Sequence, residues 1–348
     1  MTDPPPAGVF AVDGGNSKAE ALLVGRDGTL LSAVRSGTVS HQKVGWHGAE
    51  TGIMALAAGA AERSGTAATL PLAAVGSYSL AGADFPAETR RLRRSIERLG
   101  LTGRVVVRND TLAALRAGSE RGWGVVLICG HGVNGAAIGP TGRRAGFDAL
   151  GEYSGDWGGG GGIGEAALAA AVRARDGRGP ATELRDLVPE HFGLRSTGAL
   201  VRTLYHGRIP WPELGDLAPL VFAAAARGDE VALGIVDRLA GELAAMAIAL
   251  IRRTGQTRLE TDLVLAGGVL RAGHPQLVDG LLARVRAVAP GVRPLVLHAP
   301  PVLGAALLGL EDLGLEAGEL RAAEDRLRTA VGASTFAMAP VGAGTSTG

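Results

Sequence analysis

The stretch VFAVDGGNSKAE, residues 9–20, decides the fold. An apolar run ends at Asp13, a polar turn with two glycines follows, and a second apolar run begins at Ala19. Apolar runs on both sides of a glycine turn predict two antiparallel strands. Because glycine has no side chain, the backbone N–H groups of such a turn can approach a phosphate group. A plain tight hairpin explains the glycines as well, so the turn alone leaves both interpretations open.

The other residues of the turn carry groups that suit a phosphate site. Asp13 supplies hard oxygen ligands and would hold Mg2+ through water. Amide, hydroxyl and ammonium groups follow it and can donate hydrogen bonds to phosphate oxygens. The candidate phosphate-binding residues of this turn are Gly14, Gly15, Asn16, Ser17 and Lys18.

A second glycine turn, GHGVNG, occupies residues 130–135. It matches the dinucleotide fingerprint G-x-G-x-x-G, which requires a helix at its third glycine. Here Gly-Pro-Thr-Gly follows soon after and excludes a long helix, so we predict a short strand instead and reject the dinucleotide interpretation. The two turns would then face one another and hold a triphosphate from both sides. The second set of phosphate-binding candidates is Gly130, His131, Gly132 and Asn134.

The order of predicted elements is the same in both halves of the chain. Each half begins with a strand, a glycine turn and a returning strand, and continues with strands that alternate with helices. This repetition predicts two duplicated α/β domains. The predicted boundaries are a disordered leader at 1–8, an N-terminal domain at 9–120, a C-terminal domain with a helical insertion at 121–315, and a terminal helix with a flexible tail at 316–348.

Composition limits the classes of partner. The 348 residues include 35 basic and 34 acidic side chains, spread evenly, so neither nucleic acid nor a membrane is expected as a partner. The single cysteine, Cys129, excludes intramolecular disulfides and multi-cysteine metal sites. The remaining histidines show no metal-ligand spacing and are interpreted as structural. The absence of a signal segment or apolar span predicts a cytoplasmic protein.

Six motifs in a fixed order carry a resemblance to a known family: VDGGNSK, NDTLAAL, GHGVNGAAIG, SGDWGGGGGIG, VLAGGVL and PPVLGAALLGL. The chain resembles the actin-like ATPase superfamily and, within it, the BadF/BadG-type family that contains the N-acetylglucosamine kinases. The resemblance runs from Val9 to about Leu313. It implies two duplicated actin-like (ribonuclease H-like) domains around a central nucleotide cleft, with ATP and Mg2+ as cofactors. It also implies a small-molecule sugar substrate such as N-acetylglucosamine or glucosamine, and a homodimer.

The resemblance makes Asp110 the catalytic base, which accepts the proton of the attacking sugar hydroxyl. The structural alternative is that Asn109 or Asp110 only caps a helix. Asp156 matches a family aspartate that binds sugar hydroxyls, although an ordinary turn aspartate would look the same.

Further sugar and adenosine contacts follow from the same resemblance. SGTVSHQKVG, residues 36–45, takes the place of the sugar-contacting loop, and a polar surface loop is the alternative. Its candidate contacts are Ser40, His41 and Gln42, beside Asn109. Gly267 and Gly268 would let the backbone lie against the adenosine.

Two positions depart from the family pattern. The second turn reads Gly-His-Gly-Val-Asn around His131, where the family usually has Gly-Thr-Gly-Ser. Trp157 stands where an acidic residue is usual. These changes leave a second function class open, a nucleotide-binding sensor that lacks transfer activity, or a kinase for a different sugar. An activator ATPase of the same family would need several cysteine ligands for its iron–sulfur cluster, and one cysteine disfavours that class.

Overall fold

The structure is a computed structural model that describes residues 7–65, 70–332 and 338–341. By their mutual contacts these residues form two compact units. One contains the described residues up to Gly122 and from Leu297 onward, and the other is Trp123–Val296. The first strand begins at Ala7, two residues before the predicted start of the N-terminal domain at residue 9. Residues 1–6 and most of the predicted tail lie outside the described residues.

The elements follow one another in the order that the sequence predicts, apart from a short helix at Gly268–Arg271 and a two-residue strand at Ala339–Pro340, where a flexible tail was expected. Up to residue 118 they are β1 (Ala7–Gly14), β2 (Lys18–Val24), β3 (Leu30–Gly37), α1 (His41–Ser64), β4 (Ala73–Leu80), α2 (Pro86–Arg98), β5 (Thr102–Asn109) and α3 (Asp110–Gly118). The second unit contains β6 (Gly124–Cys129), β7 (Val133–Ile138), β8 (Arg144–Gly146), α4 (Gly159–Arg175), α5 (Leu184–His191), α6 (Thr197–Tyr205), α7 (Ala218–Ala226), α8 (Glu230–Arg253), β9 (Thr261–Ala266), α9 (Gly268–Arg271), α10 (Pro275–Arg286) and β10 (Val292–Val296), with 3-10 turns at Gly151–Ser154 and Trp211–Leu217. The chain ends with α11 (Pro301–Glu311), α12 (Ala317–Gly332) and β11 (Ala339–Pro340).

The first unit is a six-stranded sheet in the order β11-β3-β2-β1-β4-β5. The first three strands of the chain are antiparallel, whereas β4 and β5 run parallel to β1. Successive side chains of a strand face opposite sides of a sheet. Phe10 therefore packs with α1 and α2 on one face, and Val9 packs with α11 and α12 on the other.

Helix α11 belongs by its contacts to the first unit, although the sequence analysis placed residues 121–315 together. Its buried side chains, such as Leu307, share a hydrophobic cluster with Val9 of β1 and Ala113 of α3. Gly304 lets α11 approach α3 closely, since a Cβ at this position would lie 1.8 Å from the carbonyl oxygen of Ala113. Nothing in the sequence indicated that α11 packs on the first unit, because the boundary between the units, after Val296, lies in an ordinary short connection between β10 and α11.

The second unit repeats the topology of the first. Its sheet runs β10-β9-β6-β7-β8, with β6, β7 and β8 antiparallel and β9 and β10 parallel to β6. Strand for strand, this order matches β5-β4-β1-β2-β3. The prediction of duplicated α/β domains is therefore confirmed. Within the described residues, no helix combines the length and the apolar composition that crossing a membrane requires.

Candidate active site

The turn between β1 and β2 is a tight hairpin, as the sequence predicts. Gly14 pairs with Ala19, and the N–H of Gly15 donates to the carbonyl oxygen of Lys18 at 3.0 Å. A Cβ on Gly14 would lie 2.6 Å from the side chain of Val39, so the close packing of this strand end requires glycine. Asn16 and Ser17 are exposed at the tip.

Lys18 is engaged within the protein, since its Nζ donates to a carboxylate oxygen of Glu20. Glu20 is only 3% exposed, and its second carboxylate oxygen, Oε2, has no hydrogen-bond partner among the described residues. Glu20 lies opposite Asp13 in the register of the two strands, so both side chains face the same side of the sheet. Glu20 was not predicted as a site residue, because alternation within an apolar strand gives no sign of a buried acid.

Asp13 lies in an environment that disfavours its charge. Burial raises its pKa to about 8, and the nearby carboxylates of Asp110 and Glu20 add to the increase, while Lys18 opposes it. A cation at this position would relieve that repulsion. The residues present fit a Mg2+ ion held mainly by water and phosphate, because such an ion needs only one or two protein carboxylates. In the part of the chain that the structure describes, no three or more His, Cys, Asp and Glu side chains are grouped as a complete protein-ligand site.

Asp110 begins α3, and Asn109 is the residue that caps this helix. The Asn109 side chain accepts from the N–H of Thr111 at 3.0 Å and from its hydroxyl at 2.6 Å. The capping alternatives of the sequence analysis are thus resolved in favour of Asn109. Burial raises the pKa of Asp110 to about 6, helped by the charge of Asp84 and opposed by a backbone hydrogen bond from Thr111. A carboxylate with this pKa is suited to take a proton near neutral pH.

Asp84 is the second site residue that the sequence analysis missed. It accepts from Asn109 Nδ2 at 2.8 Å and lies 3.5 Å from Gln42 Nε2. A signal was present, because Asp84 follows β4 just as Asp110 follows β5. The two strands are parallel neighbours, and the carboxyl ends of such strands share one edge of a sheet.

The predicted sugar-contacting loop at 36–45 is shorter than expected. Strand β3 continues to Gly37, and α1 begins at His41 with Ser40 as its N-cap residue, so His41 and Gln42 lie in the first helical turn. The hydroxyl of Ser40 and the Nδ1 atom of His41 are buried without a hydrogen-bond partner among the described residues. Buried groups of this kind are suited to a polar ligand. They lie in the same unit as Asn109 and Asp84, joined to them through Gln42.

In the second unit, the turn at 130–133 is tied to the glycine run that follows Trp157. The N–H groups of Gly160 and Gly161 donate to the carbonyl oxygens of Gly130 and His131 at 2.8 and 2.9 Å. Gly158 is the N-cap residue of α4, and the glycines that follow it form the first turn of this helix. The two segments approach closely, because a Cβ on Gly159 would lie 2.3 Å from the carbonyl oxygen of His131.

A cavity of about 380 Å³ opens beside this turn. Its walls combine glycine backbone with flat rings, and Phe222 and His274 stack in it with their ring centres 3.9 Å apart. The main lining residues are Gly130, His131, Gly160, Gly215, Phe222, Gly268 and His274. Of the two predicted adenosine-side glycines, Gly268 lines the cavity, whereas Gly267 caps α9 against Cys129. His274 was interpreted as structural in the sequence analysis, and its ring forms part of this wall.

Asp156 and Trp157 precede α4. The Ser154 hydroxyl donates to Asp156, which is half-buried. The guanidinium of Arg238 lies 3.8 Å from the centre of the Trp157 ring, and Trp157 packs against the core of the second unit. Trp157 therefore anchors this segment to the core of the second unit.

The sequence matches the BadF/BadG/BcrA/BcrD ATPase family over residues 11–309. The chain belongs to this family. It is 30% identical over 190 residues to the N-acetylmuramic acid/N-acetylglucosamine kinase of Clostridium acetobutylicum, and the matched region covers 55% of this chain and 62% of that protein. It is 32% identical over 221 residues to the N-acetyl-D-glucosamine kinase of Dictyostelium discoideum, and the matched region covers 62% of this chain and 68% of that protein.

Solved structures support the same fold. A candidate N-acetylglucosamine kinase from Chromobacterium violaceum superposes with a TM-score of 0.69 at 24% identity, covering 88% of this chain and 100% of that one. The predicted fold class, duplicated α/β units of the actin-like ATPase fold, is thereby confirmed.

Proposed function

We propose that this member of the family is an ATP-dependent kinase that phosphorylates a hydroxyl of a hexosamine such as N-acetylglucosamine or glucosamine. The observation that carries the proposal is the environment of the Asp110 carboxylate. Its capping role is taken by Asn109, burial raises its pKa to about 6, and it lies at the strand edge where Asp84 and Asn109 offer polar groups to a sugar. The names of the two curated relatives support hexosamines as the substrate class.

In the proposed reaction, Asp110 accepts the proton of the sugar hydroxyl as its oxygen attacks the γ-phosphorus of ATP. The bond to the β–γ bridging oxygen breaks, and ADP leaves. Asp84 and Asn109 orient the sugar, together with Ser40, His41, Gln42 and Asp156. Positioning of this kind is the larger part of phosphoryl-transfer catalysis.

ATP would be bound by glycine-rich backbone. In this proposal the nucleoside occupies the cavity lined by Gly268, Phe222 and His274, and the turn residues Gly130, His131, Gly132 and Asn134 contact phosphate oxygens. The first turn adds Gly14, Gly15, Asn16, Ser17 and Lys18. Mg2+, when bound, neutralises phosphate charge, and Asp13 would hold it through water.

The proposal is tested by measuring Mg2+-dependent ADP release from ATP with N-acetylglucosamine, glucosamine, N-acetylmannosamine, glucose and no sugar. Strong stimulation by a hexosamine is expected. If glucose alone stimulates, the substrate class is wrong. If ATP binds but no sugar raises the rate above the blank, the sensor alternative replaces the kinase. The expected cytoplasmic location and homodimer stay predictions, the latter open to sedimentation of the purified chain.

A further inference from the structure

Helix α2 carries an unusual concentration of positive charge. Its 13 residues include five arginines and two glutamates. Successive helical residues are turned by about 100°, so Arg90, Arg91, Arg94 and Arg98 fall within an arc of about 100° on one face. Arg93 lies outside this arc and faces Glu97 at 3.6 Å.

The arginine face lines a cavity of about 480 Å³ formed with α1. Its lining residues are Trp46, Glu50, Ala87, Arg90, Arg91, Arg94, Ser95 and Arg98. A volume of this size falls in the range of small-molecule sites. Four arginines and one glutamate thus line a single space.

The carboxylate of the cavity already has hydrogen-bond partners within the protein. Glu50 accepts from the hydroxyl of Ser95, which is 5% exposed, and from Arg98 at 3.3 Å. Arg90 and Arg94 form no ion pair with any described residue. Guanidinium groups that share a cavity repel one another unless an anion lies between them.

Arg91 is fixed by the aromatic side of the cavity. Its guanidinium carbon lies 3.9 Å from the centre of the Trp46 ring. The His41 ring stacks on Trp46 as well, with ring centres 4.2 Å apart and planes inclined by 25°. Two groups this close to one ring cannot share a face, so Trp46 lies between them. The cavity is therefore in contact, through one ring, with a predicted sugar-contacting residue.

We propose that this cavity binds a small anion of the phosphate class, either free phosphate or a phosphate monoester. Arginine forks match the oxygens of a phosphate group and bind it in bidentate fashion. In this arrangement Arg90 and Arg94 hold the phosphate group, and the preformed Arg91–Trp46 stack supplies a third donor. The site is separate from the candidate active site and does not depend on the proposed sugar phosphorylation.

The test is isothermal titration calorimetry, which measures the affinity of the full chain for inorganic phosphate and, separately, for glycerol 3-phosphate. Glycerol is the uncharged control. The Arg90→Gln/Arg94→Gln variant is expected to bind at least about tenfold more weakly, since two charge-assisted contacts are lost. The matched control, Arg26→Gln/Arg93→Gln, removes the same charge from exposed positions outside the cavity and should bind within about twofold of the unmodified chain.

Each outcome decides the matter. Binding of inorganic phosphate alone identifies free phosphate as the ligand, and tighter binding of glycerol 3-phosphate identifies an ester. An unmodified chain without binding, equal affinity in all three proteins, or equal weakening in both variants would each overturn the proposal. A change in tryptophan fluorescence on binding that disappears in Trp46→Phe would place the ligand at this cavity. A ligand-induced change of the same size in Trp46→Phe would count against it.

Discussion

Asn109 joins the two acidic residues of the candidate active site: its Nδ2 atom donates to Asp84 at 2.8 Å, while its side-chain oxygen caps the helix that begins with Asp110. One amide therefore fixes the position of one carboxylate and frees the other from capping. Because Asp84 and Asp110 repel each other, the pKa of Asp110 is raised beyond the effect of burial alone.

Asp110→Asn is expected to lower the rate of sugar phosphorylation by about 10²- to 10⁴-fold, the usual contribution of a general base. ATP affinity should change little, since the proposed nucleotide contacts lie elsewhere. Steady-state kinetics and ATP titration on the same protein separate the two effects. Asp279→Asn, which removes one charge from an exposed position on α10, is the control. Normal turnover by Asp110→Asn would remove Asp110 from the proposed role.

Asp84→Asn is expected to shift the pH profile of kcat/KM. The base must be ionised, so activity falls as the pH drops through the pKa of Asp110, about 6 in this structure. An amide at position 84 removes a negative charge that raises this pKa, so the acid limb should move to lower pH. The amide oxygen can still accept from Asn109, which keeps the helix cap in place. An acid limb at the same pH as in the Asp279→Asn control contradicts the electrostatic role of Asp84.

Gly159→Ala is expected to destabilise the second unit, because this residue has a φ of +68° and its Cβ would lie 2.3 Å from the carbonyl oxygen of His131. The left-handed conformation alone costs about 1–2 kcal/mol for a residue with a side chain. Gly161→Ala is the matched control two residues later, where the nearest atom is 3.4 Å away. Urea unfolding should show a lower midpoint for Gly159→Ala and no loss for Gly161→Ala. Equal midpoints would mean that the turn at His131 yields without cost.

His274→Ala is expected to weaken ATP binding by about two- to twelvefold, the loss that an aromatic contact of about 0.5–1.5 kcal/mol implies. The reason is that His274 and Phe222 form a flat stack in the wall of the cavity assigned to the nucleoside. His206→Ala removes an exposed imidazole that lies edge-to-face against the neighbouring Tyr205 ring, outside this cavity, and serves as the control. Unchanged affinity in direct ATP titration would place the nucleoside outside this cavity.

The sheets could be predicted from the sequence because their signals are local. Apolar runs such as Val9–Val12 end at glycine turns, and the repeat of that pattern at Gly130 predicts a second copy of the same topology. The structure has both hairpins and both series of parallel strands.

The parts that escaped prediction depend on contacts between distant residues. Asp84 joins the site only because β4 and β5 are parallel neighbours, and α11 returns to the first unit through its packing on α3. Glu20 resembles any polar residue in a strand until its burial is known. The ring of His274 acquires a neighbour, Phe222, from a helix far away in the sequence. Pairings of this kind leave no periodic signal in one sequence.

Asp229 offers a test of stability that is independent of function. It caps α8, which runs through the core of the second unit, by accepting from the N–H of Ala232 at 2.9 Å. It also accepts from the N–H of Glu183, which precedes α5, at 2.7 Å. Burial alone would raise its pKa, but these hydrogen bonds and one from Thr182 outweigh it and hold the pKa below the usual 3.8. Asp229→Ala should cost about 1–2 kcal/mol of unfolding free energy at neutral pH, as expected for a lost cap.

The pH dependence of that loss follows from the lowered pKa. The contribution of the Asp229 carboxylate is complete above the ordinary pKa of 3.8 and is lost as the pH falls through the lower value of the folded state. The difference in unfolding free energy between the unmodified chain and Asp229→Asn, which caps without titrating, should therefore be constant above pH 3.8 and shrink below it. Denaturant unfolding across this range measures the difference. A difference that stays constant into strong acid would mean that the hydrogen bonds at Asp229 do not favour its charged form.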